Sequence, residues 1–110
     1  MEGWKFLIFS RLDSELILDV LRSSLISDAQ ILYFPEVQNQ QPVYFDGLLK
    51  KIRPKILVTA SMEDEKAKAL FLNGFLPLNL KDSGSISFKK QGERLVVKSF
   101  LQGEVRVLSK

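Results

Sequence analysis

The chain has 110 residues, of which 45% are hydrophobic, so one domain of ordinary size can form a core without disulfides or metals. It contains neither histidine nor cysteine, which excludes disulfides, thiolate or imidazole metal sites and histidine-based acid–base catalysis. The net charge of +3 is uneven, because residues 1–47 carry three basic and seven acidic side chains whereas residues 48–110 carry thirteen and six. This asymmetry predicts two surfaces of opposite sign.

The first third of the chain predicts two buried strands joined by a helix. The apolar run Trp4–Phe9 is typical of a strand that is buried on both faces. Asp13, or the serine after it, can cap a helix whose apolar positions extend over Leu16–Leu25. A second buried strand is predicted at Ile31–Phe34. The polar loop Glu36–Pro42 then follows a strand end, which is where open α/β sheets bind ligands and partners.

The middle of the chain predicts two more helices around a third buried strand. A short helix is expected over Tyr44–Ile52, and the strand over Lys55–Ala60. The next helix begins near Ser61 with acidic residues in its first turn and stops before Asn73, which is followed by glycine. Phe75–Leu80 contains a proline and predicts an edge strand or a packed loop.

The last third of the chain predicts antiparallel strands. Ser85–Phe88 and Leu95–Phe100 flank a Gln-Gly pair and predict a hairpin. Val105 and Val107 predict one further short strand. Three βα units followed by extended segments indicate a single α/β domain over residues 1–110, with a mainly parallel central sheet and a C-terminal hairpin.

Catalytic and cofactor-binding patterns are weak. Asp13 with Glu15, and Glu63–Glu65, lie at predicted helix starts, where carboxylates cap the helix and interact with its dipole. The strand-to-helix turns Ser10–Asp13 and Ser61–Asp64 lack the glycines of a phosphate-binding loop and carry acid instead. The sequence therefore predicts no catalytic residue, cofactor or metal.

Two basic clusters could contact nucleic acid weakly and without sequence preference. One consists of Lys50, Lys51, Arg53 and Lys55. The other consists of Lys89, Lys90, Arg94 and Lys98 on the predicted hairpin. Few exposed aromatic residues are interleaved with either, because the phenylalanines fall at core-like positions.

Three segments resemble uracil-DNA glycosylases: VLRSSLISDAQILYFPEV, LLKKIRPKILVTASMEDEKAKALF and KQGERLVVKSFLQ. The resemblance implies a three-layer sandwich around a mainly parallel sheet. The catalytic His-Pro pair of those enzymes would correspond here to Leu101 and Gln102, and Ser10–Asp13 replaces their glycine-rich catalytic motif. A chain with these departures is expected not to be an enzyme.

The segment KFLIFSRLDSELILDVLRSSLISDAQILYFPE resembles a non-catalytic relative of that fold, the psi subunits of bacterial DNA polymerase III. The likeness includes the run Asp19–Arg22 and the strand that follows Gln30. It implies a cytoplasmic adaptor without cofactors that binds the chi subunit and the clamp-loader ATPase subunits, and so links single-strand-binding protein to the clamp loader.

Aromatic residues are the expected anchors of such a partner contact, since they dominate interface energetics; the candidates are Trp4, Tyr33 and Tyr44. The alternative is a degenerate glycosylase-like domain that binds nucleic acid through Lys50, Lys51, Arg53 and Lys55. Residues 45–81 also resemble response-regulator receiver domains, but more weakly, because this chain lacks the acidic pair that follows the first strand of those domains. No segment reaches the ~18–20 apolar residues of a membrane helix.

Overall fold

Residues 3–10, 13–24, 26, 28–35, 42–101 and 103–109 are described by the structure, which is a computed structural model. Within them the strands are β1 Phe6–Ile8, β2 Ile31–Phe34, β3 Ile56–Thr59, β4 Leu76–Asn79, β5 Ile86–Gln91, β6 Arg94–Ser99 and β7 Gly103–Ser109. The helices are α1 Ser14–Arg22, α2 Pro42–Ile52, α3 Asp64–Leu72 and α4 Leu80–Ser83.

The strands form two sheets, and the expected α/β fold is confirmed. The first sheet has the order β1-β2-β3-β4 with every neighbouring pair parallel. The second is an antiparallel meander, β5-β6-β7. It confirms the predicted hairpin, and its third strand is seven residues long rather than short.

Side-chain alternation along the central strands builds two separate cores. Leu32 and Phe34 of β2, with Leu57 of β3, pack against α1, α2 and α3. Ile31 and Ile56 point to the opposite face and pack against the meander. Because successive side chains of a strand alternate between faces, the parallel sheet is the middle of three layers, with helices on one side and the meander on the other.

Strand β1 differs from its prediction, because it is not buried on both faces. Phe6 and Leu7 are only half-buried, and Ile8 is 70% exposed. An apolar run identifies a strand but not its place in the sheet, and β1 lies at an edge. The segment 75–80, predicted as an edge strand or a packed loop, forms the edge strand β4. Pro77 has no N–H, and on the outer side of an edge strand this loses no hydrogen bond within the sheet.

Helix α1 is fixed at both ends by polar contacts. A carboxylate oxygen of Asp13 accepts a hydrogen bond from the Leu16 amide at 2.9 Å, which confirms the predicted cap. At the other end, the Lys51 ammonium on α2 donates to the carbonyls of Val20 (2.7 Å), Leu21 (3.3 Å) and Ser23. This cation supplies a charged donor to carbonyls at the C-terminal end of α1, and it fastens α1 to α2.

Some residues named in the sequence predictions lie outside the described ranges, among them Arg11 and Leu12 of the first strand-to-helix turn and Gln102. Leu25, at the end of the predicted first helix, is one of them, and α1 ends at Arg22. Most of the predicted polar loop, residues 36–41, also lies outside. No helix in the described part of the chain is long and apolar enough to cross a lipid bilayer.

Replacing Lys51 by methionine should destabilise the protein by about 1–2 kcal/mol, because three carbonyls lose a charged donor while the aliphatic stem is kept. Urea unfolding measures the change. Lys50→Met is the matched control, since Lys50 is exposed and its replacement should change the free energy of unfolding by less than about 0.5 kcal/mol. Equal midpoints for the two variants would contradict the capping role of Lys51.

Candidate protein-interaction site

An apolar groove of about 410 Å³ opens between the two sheets, beside exposed Ile8. Three strands of the parallel sheet form one wall, and β5 with the start of α4 forms the other. The lining residues are Phe6, Ile8, Ile31, Tyr33, Val58, Leu80, Ile86 and Phe88.

Strand alternation positions these side chains. Phe6 and Ile8 of β1 share a face because they are two residues apart, and Tyr33 of β2 lies on that face because it is the register partner of Ile8. Phe88 of β5 meets Phe6 edge to face, with ring centroids 5.2 Å apart and planes at 83°, the arrangement that aromatic pairs prefer. This pair closes one part of the groove, whereas Ile8 leaves the neighbouring part open to solvent.

A turn next to the groove displays two further apolar side chains. Phe100 is 80% and Leu101 64% exposed, although their backbone is held firmly. The Phe100 amide donates to the Ser85 carbonyl at 2.9 Å, and the Leu101 amide donates to the Ser83 carbonyl at 3.1 Å. The hydroxyl of Ser99 donates to that same Ser83 carbonyl at 3.0 Å. Two large apolar groups are therefore presented on an ordered turn.

Gly84 makes this arrangement possible. Its φ of 79° and ψ of −77°, with the Ser85 amide bonded to the Ser83 carbonyl, define a classic γ-turn. A Cβ at this position would lie 3.3 Å from Cγ of Leu101 and 3.5 Å from Cδ1 of Phe100. The glycine thus supplies both the backbone conformation and the space that the turn needs.

The chemistry of the groove suits contact with an apolar surface. Its lining is apolar apart from the hydroxyl of Tyr33. A second depression, of about 320 Å³ between α2 and α3, is lined by Asp46 and Lys50 as well as by apolar residues. Exposed apolar surface on a folded domain marks sites of interaction, and both the groove and the turn at 100–101 expose such surface.

The three predicted anchor residues have different outcomes. Trp4 is only 5% exposed and packs in the core between the parallel sheet and the meander. Its large apolar surface fills that core and leaves little area exposed for the partner contact that the sequence predicts. Tyr33 is half-buried and lines the groove. Tyr44 lies on α2, and its side chain is outside the described part of the chain.

The basic residues of the first cluster are not brought together on one surface. Lys51 points to the end of α1, and the ammonium of Lys55 donates to the Ser109 carbonyl on β7 at 3.0 Å. Arg53 forms an exposed ion pair with Asp28 at 3.7 Å, and Lys50 lines the depression beside α3. A continuous phosphate-tracking surface needs cations aligned on one face, and these four are directed towards four different places: α3, the end of α1, the segment before β2 and the end of β7.

Sequence reasoning missed most of the groove. The sequence predicts a hairpin that includes Ile86 and Phe88, but a hairpin pattern does not show which of its apolar side chains another layer will cover. The available signal was the adjacent pair Phe100-Leu101, where two large apolar residues follow the end of the alternating pattern and precede a glycine at 103.

No protein-family model, curated protein or solved structure matches this chain.

Replacing Trp4 by alanine should destabilise the fold by about 3–5 kcal/mol, because a large buried side chain is removed and leaves a cavity. Thermal and urea unfolding measure the loss. Leu72→Ala, at a position that is 79% exposed, is the control and should change the stability by less than about 0.5 kcal/mol. A Trp4→Ala protein of unchanged stability would show that Trp4 does not support the core.

Gly84→Ala should cost about 2 kcal/mol of stability, because alanine is strained in the γ-turn and crowds Leu101. Gly74→Ala is the matched control: its φ is 93° but nothing lies within 4 Å of the added Cβ, so it should lose only about 1 kcal/mol. Urea unfolding of the two variants gives the difference. If Gly84→Ala were no worse than Gly74→Ala, the turn would not depend on space at Gly84.

Proposed function

We propose that this chain is a non-catalytic adaptor subunit of the psi type, which docks a chi-type partner and connects it to the clamp-loader ATPase subunits. The observation that carries the proposal is the apolar groove beside Tyr33, flanked by the ordered turn that exposes Phe100 and Leu101. Apolar and aromatic groups fixed in position are what a protein interface uses as anchors, since they lose little conformational entropy on binding.

The C-terminal turn supports the same proposal. The resemblance to uracil-DNA glycosylases aligns Leu101 with a catalytic position of those enzymes. Here that position carries an exposed leucine beside an apolar groove, which favours a docking surface in place of a catalytic one. On this proposal the parallel sheet is the core of a glycosylase-like fold, and the meander is its third layer.

The composition of this surface suits the centre of a protein interface. A standard interface buries about 800 Å² on each partner, with an apolar centre and a polar rim. The groove and the turn would form the centre. Tyr33 and Phe88 supply aromatic groups to the groove, and Phe100 supplies one to the turn.

The proposal predicts a 1:1 complex with chi that depends on the turn. The test is light scattering after size exclusion, with calorimetric titration, on the full chain and the chi subunit of the same organism. The double variant Phe100→Ser, Leu101→Ser should bind chi at least tenfold more weakly, because two exposed anchors are lost. Leu72→Ser, an equally exposed leucine on α3, should bind like the unmodified chain.

Two results would reject the proposal: no complex with chi or with the clamp-loader ATPase subunits at tens of micromolar, or a complex that the double variant leaves unchanged. Titration with single-stranded DNA separates the alternative. Three or four phosphate contacts would give a log–log salt slope of roughly −2 to −3, and the dispersed directions of Lys50, Lys51, Arg53 and Lys55 predict no such response from these four residues.

A further inference from the structure

The outer face of the meander carries three members of the second basic cluster. The inner face packs against the parallel sheet through Phe88 and its register partner Val97, among others. Side chains alternate along a strand, so Lys89 of β5 and both Arg94 and Lys98 of β6 are directed to the opposite face. All three are exposed, and together they form the outer basic patch.

The register of β5 and β6 spaces these cations evenly. Lys89 lies opposite Val96, which is midway between Arg94 and Lys98 on β6. Because a strand rises about 3.3 Å per residue, the three cations follow one another at intervals of about 6–7 Å along the strand direction. Successive phosphates of an extended nucleic-acid strand are separated by a similar distance, so each cation of the patch can contact one phosphate.

Acidic side chains lie near the ends of this patch and not within it. The outward residues of β5 and β6, two strands that the structure describes completely, include no acid. Glu93 is in the turn that joins these strands, and Glu104 of β7 is the register partner of Lys98. Within the described ranges none of the three cations forms an ion pair. The patch therefore presents its positive charge to solvent.

The composition of this face favours a nucleic-acid strand over a protein or a bilayer. Phosphate backbones are bound by lysine and arginine together with hydroxyl and amide donors, and the other outward residues of β5 are Ser87 and Gln91. A protein interface has an apolar centre, but Val96 at the centre of this face is only 4% exposed. Among the described residues of the face, the exposed apolar side chain is Val107, at 42%. Binding to a bilayer surface needs a broader apolar face beside the charges.

We infer that the outer basic patch binds the phosphodiester backbone of single-stranded nucleic acid without reading its sequence. The outward positions of β5 and β6, all of them described, carry no aromatic side chain for base stacking. Phosphate contacts therefore carry the binding, which is weak and depends on salt. The groove lies on the other side of the meander, where Phe88 faces it. The inference is thus independent of the proposed function, and both surfaces can be occupied together.

Fluorescence anisotropy with a labelled oligothymidylate of about 16 nucleotides, the upper end of known site sizes, measures this binding. Three phosphate contacts predict a log–log salt slope of about −2 for the full chain. The triple variant Lys89→Gln, Arg94→Gln, Lys98→Gln should bind at least tenfold more weakly at low salt, with a slope near zero. Circular dichroism verifies that this patch variant is folded.

A matched control removes the same total charge from other surfaces. Lys50, Arg53 and Lys68 are also exposed. Replacing all three by glutamine should change the affinity by less than about threefold, because screening limits the reach of distant charges. Lys89→Arg with Lys98→Arg keeps the charges of the patch and should bind like the unmodified chain.

The inference is overturned if the unmodified chain does not bind the oligonucleotide, or if the control variant loses as much affinity as the patch variant. It is also overturned, in favour of a lipid surface, if the chain binds vesicles of phosphatidylcholine and phosphatidylserine but not the oligonucleotide. None of these results involves chi. A chi complex without DNA binding rejects only this inference, and DNA binding without a chi complex rejects only the psi-type function.

Discussion

Both faces of the parallel sheet are apolar, and the rest of the structure depends on covering them. In β2 and β3, successive side chains enter opposite cores, so Leu57 belongs to the helix-side core and Ile56 and Val58 to the other. Neither face can be left in water, since each buried aliphatic side chain contributes about 1.5–3 kcal/mol. Three helices cover one face. The C-terminal meander covers the other and is as necessary to the fold as the helices are.

The candidate site exists because the meander covers one face of the parallel sheet incompletely. The meander has three strands and packs over a sheet of four, and Ile8 at the edge of that sheet is left exposed. The groove lies where the two sheets diverge, between β1 and β5. Fold and proposed function are thus connected: the layer that completes the core also forms one wall of the surface offered to a partner, and the γ-turn at Gly84 holds two further apolar groups beside it.

Charged and polar side chains mainly join elements to one another. Lys51 connects α2 to the end of α1, and Lys55 connects the start of β3 to the end of β7. At the opposite end of the sheet, Thr59 and Asn79 donate to carbonyls of the loops that precede α2 and α3, namely those of Pro35 and Met62. The basic cluster at 50–55, which is compact in the sequence, is therefore dispersed in space, because its members contact different elements.

The sequence alone determined the local elements of this protein. Asp13 as a helix cap, the buried strands at 31–34 and 56–59, the proline-containing edge strand and the C-terminal hairpin all follow from short-range rules of periodicity, capping and backbone geometry. Only the tertiary structure decided which elements pack over each face of the parallel sheet. An apolar run such as Trp4–Phe9 has the same sequence whether it is central or at an edge, so burial of Trp4 and exposure of Ile8 depend on neighbours far along the chain. The groove could not be predicted for the same reason: its eight lining residues come from five separate elements, and each of them, taken locally, has the pattern of an ordinary core residue.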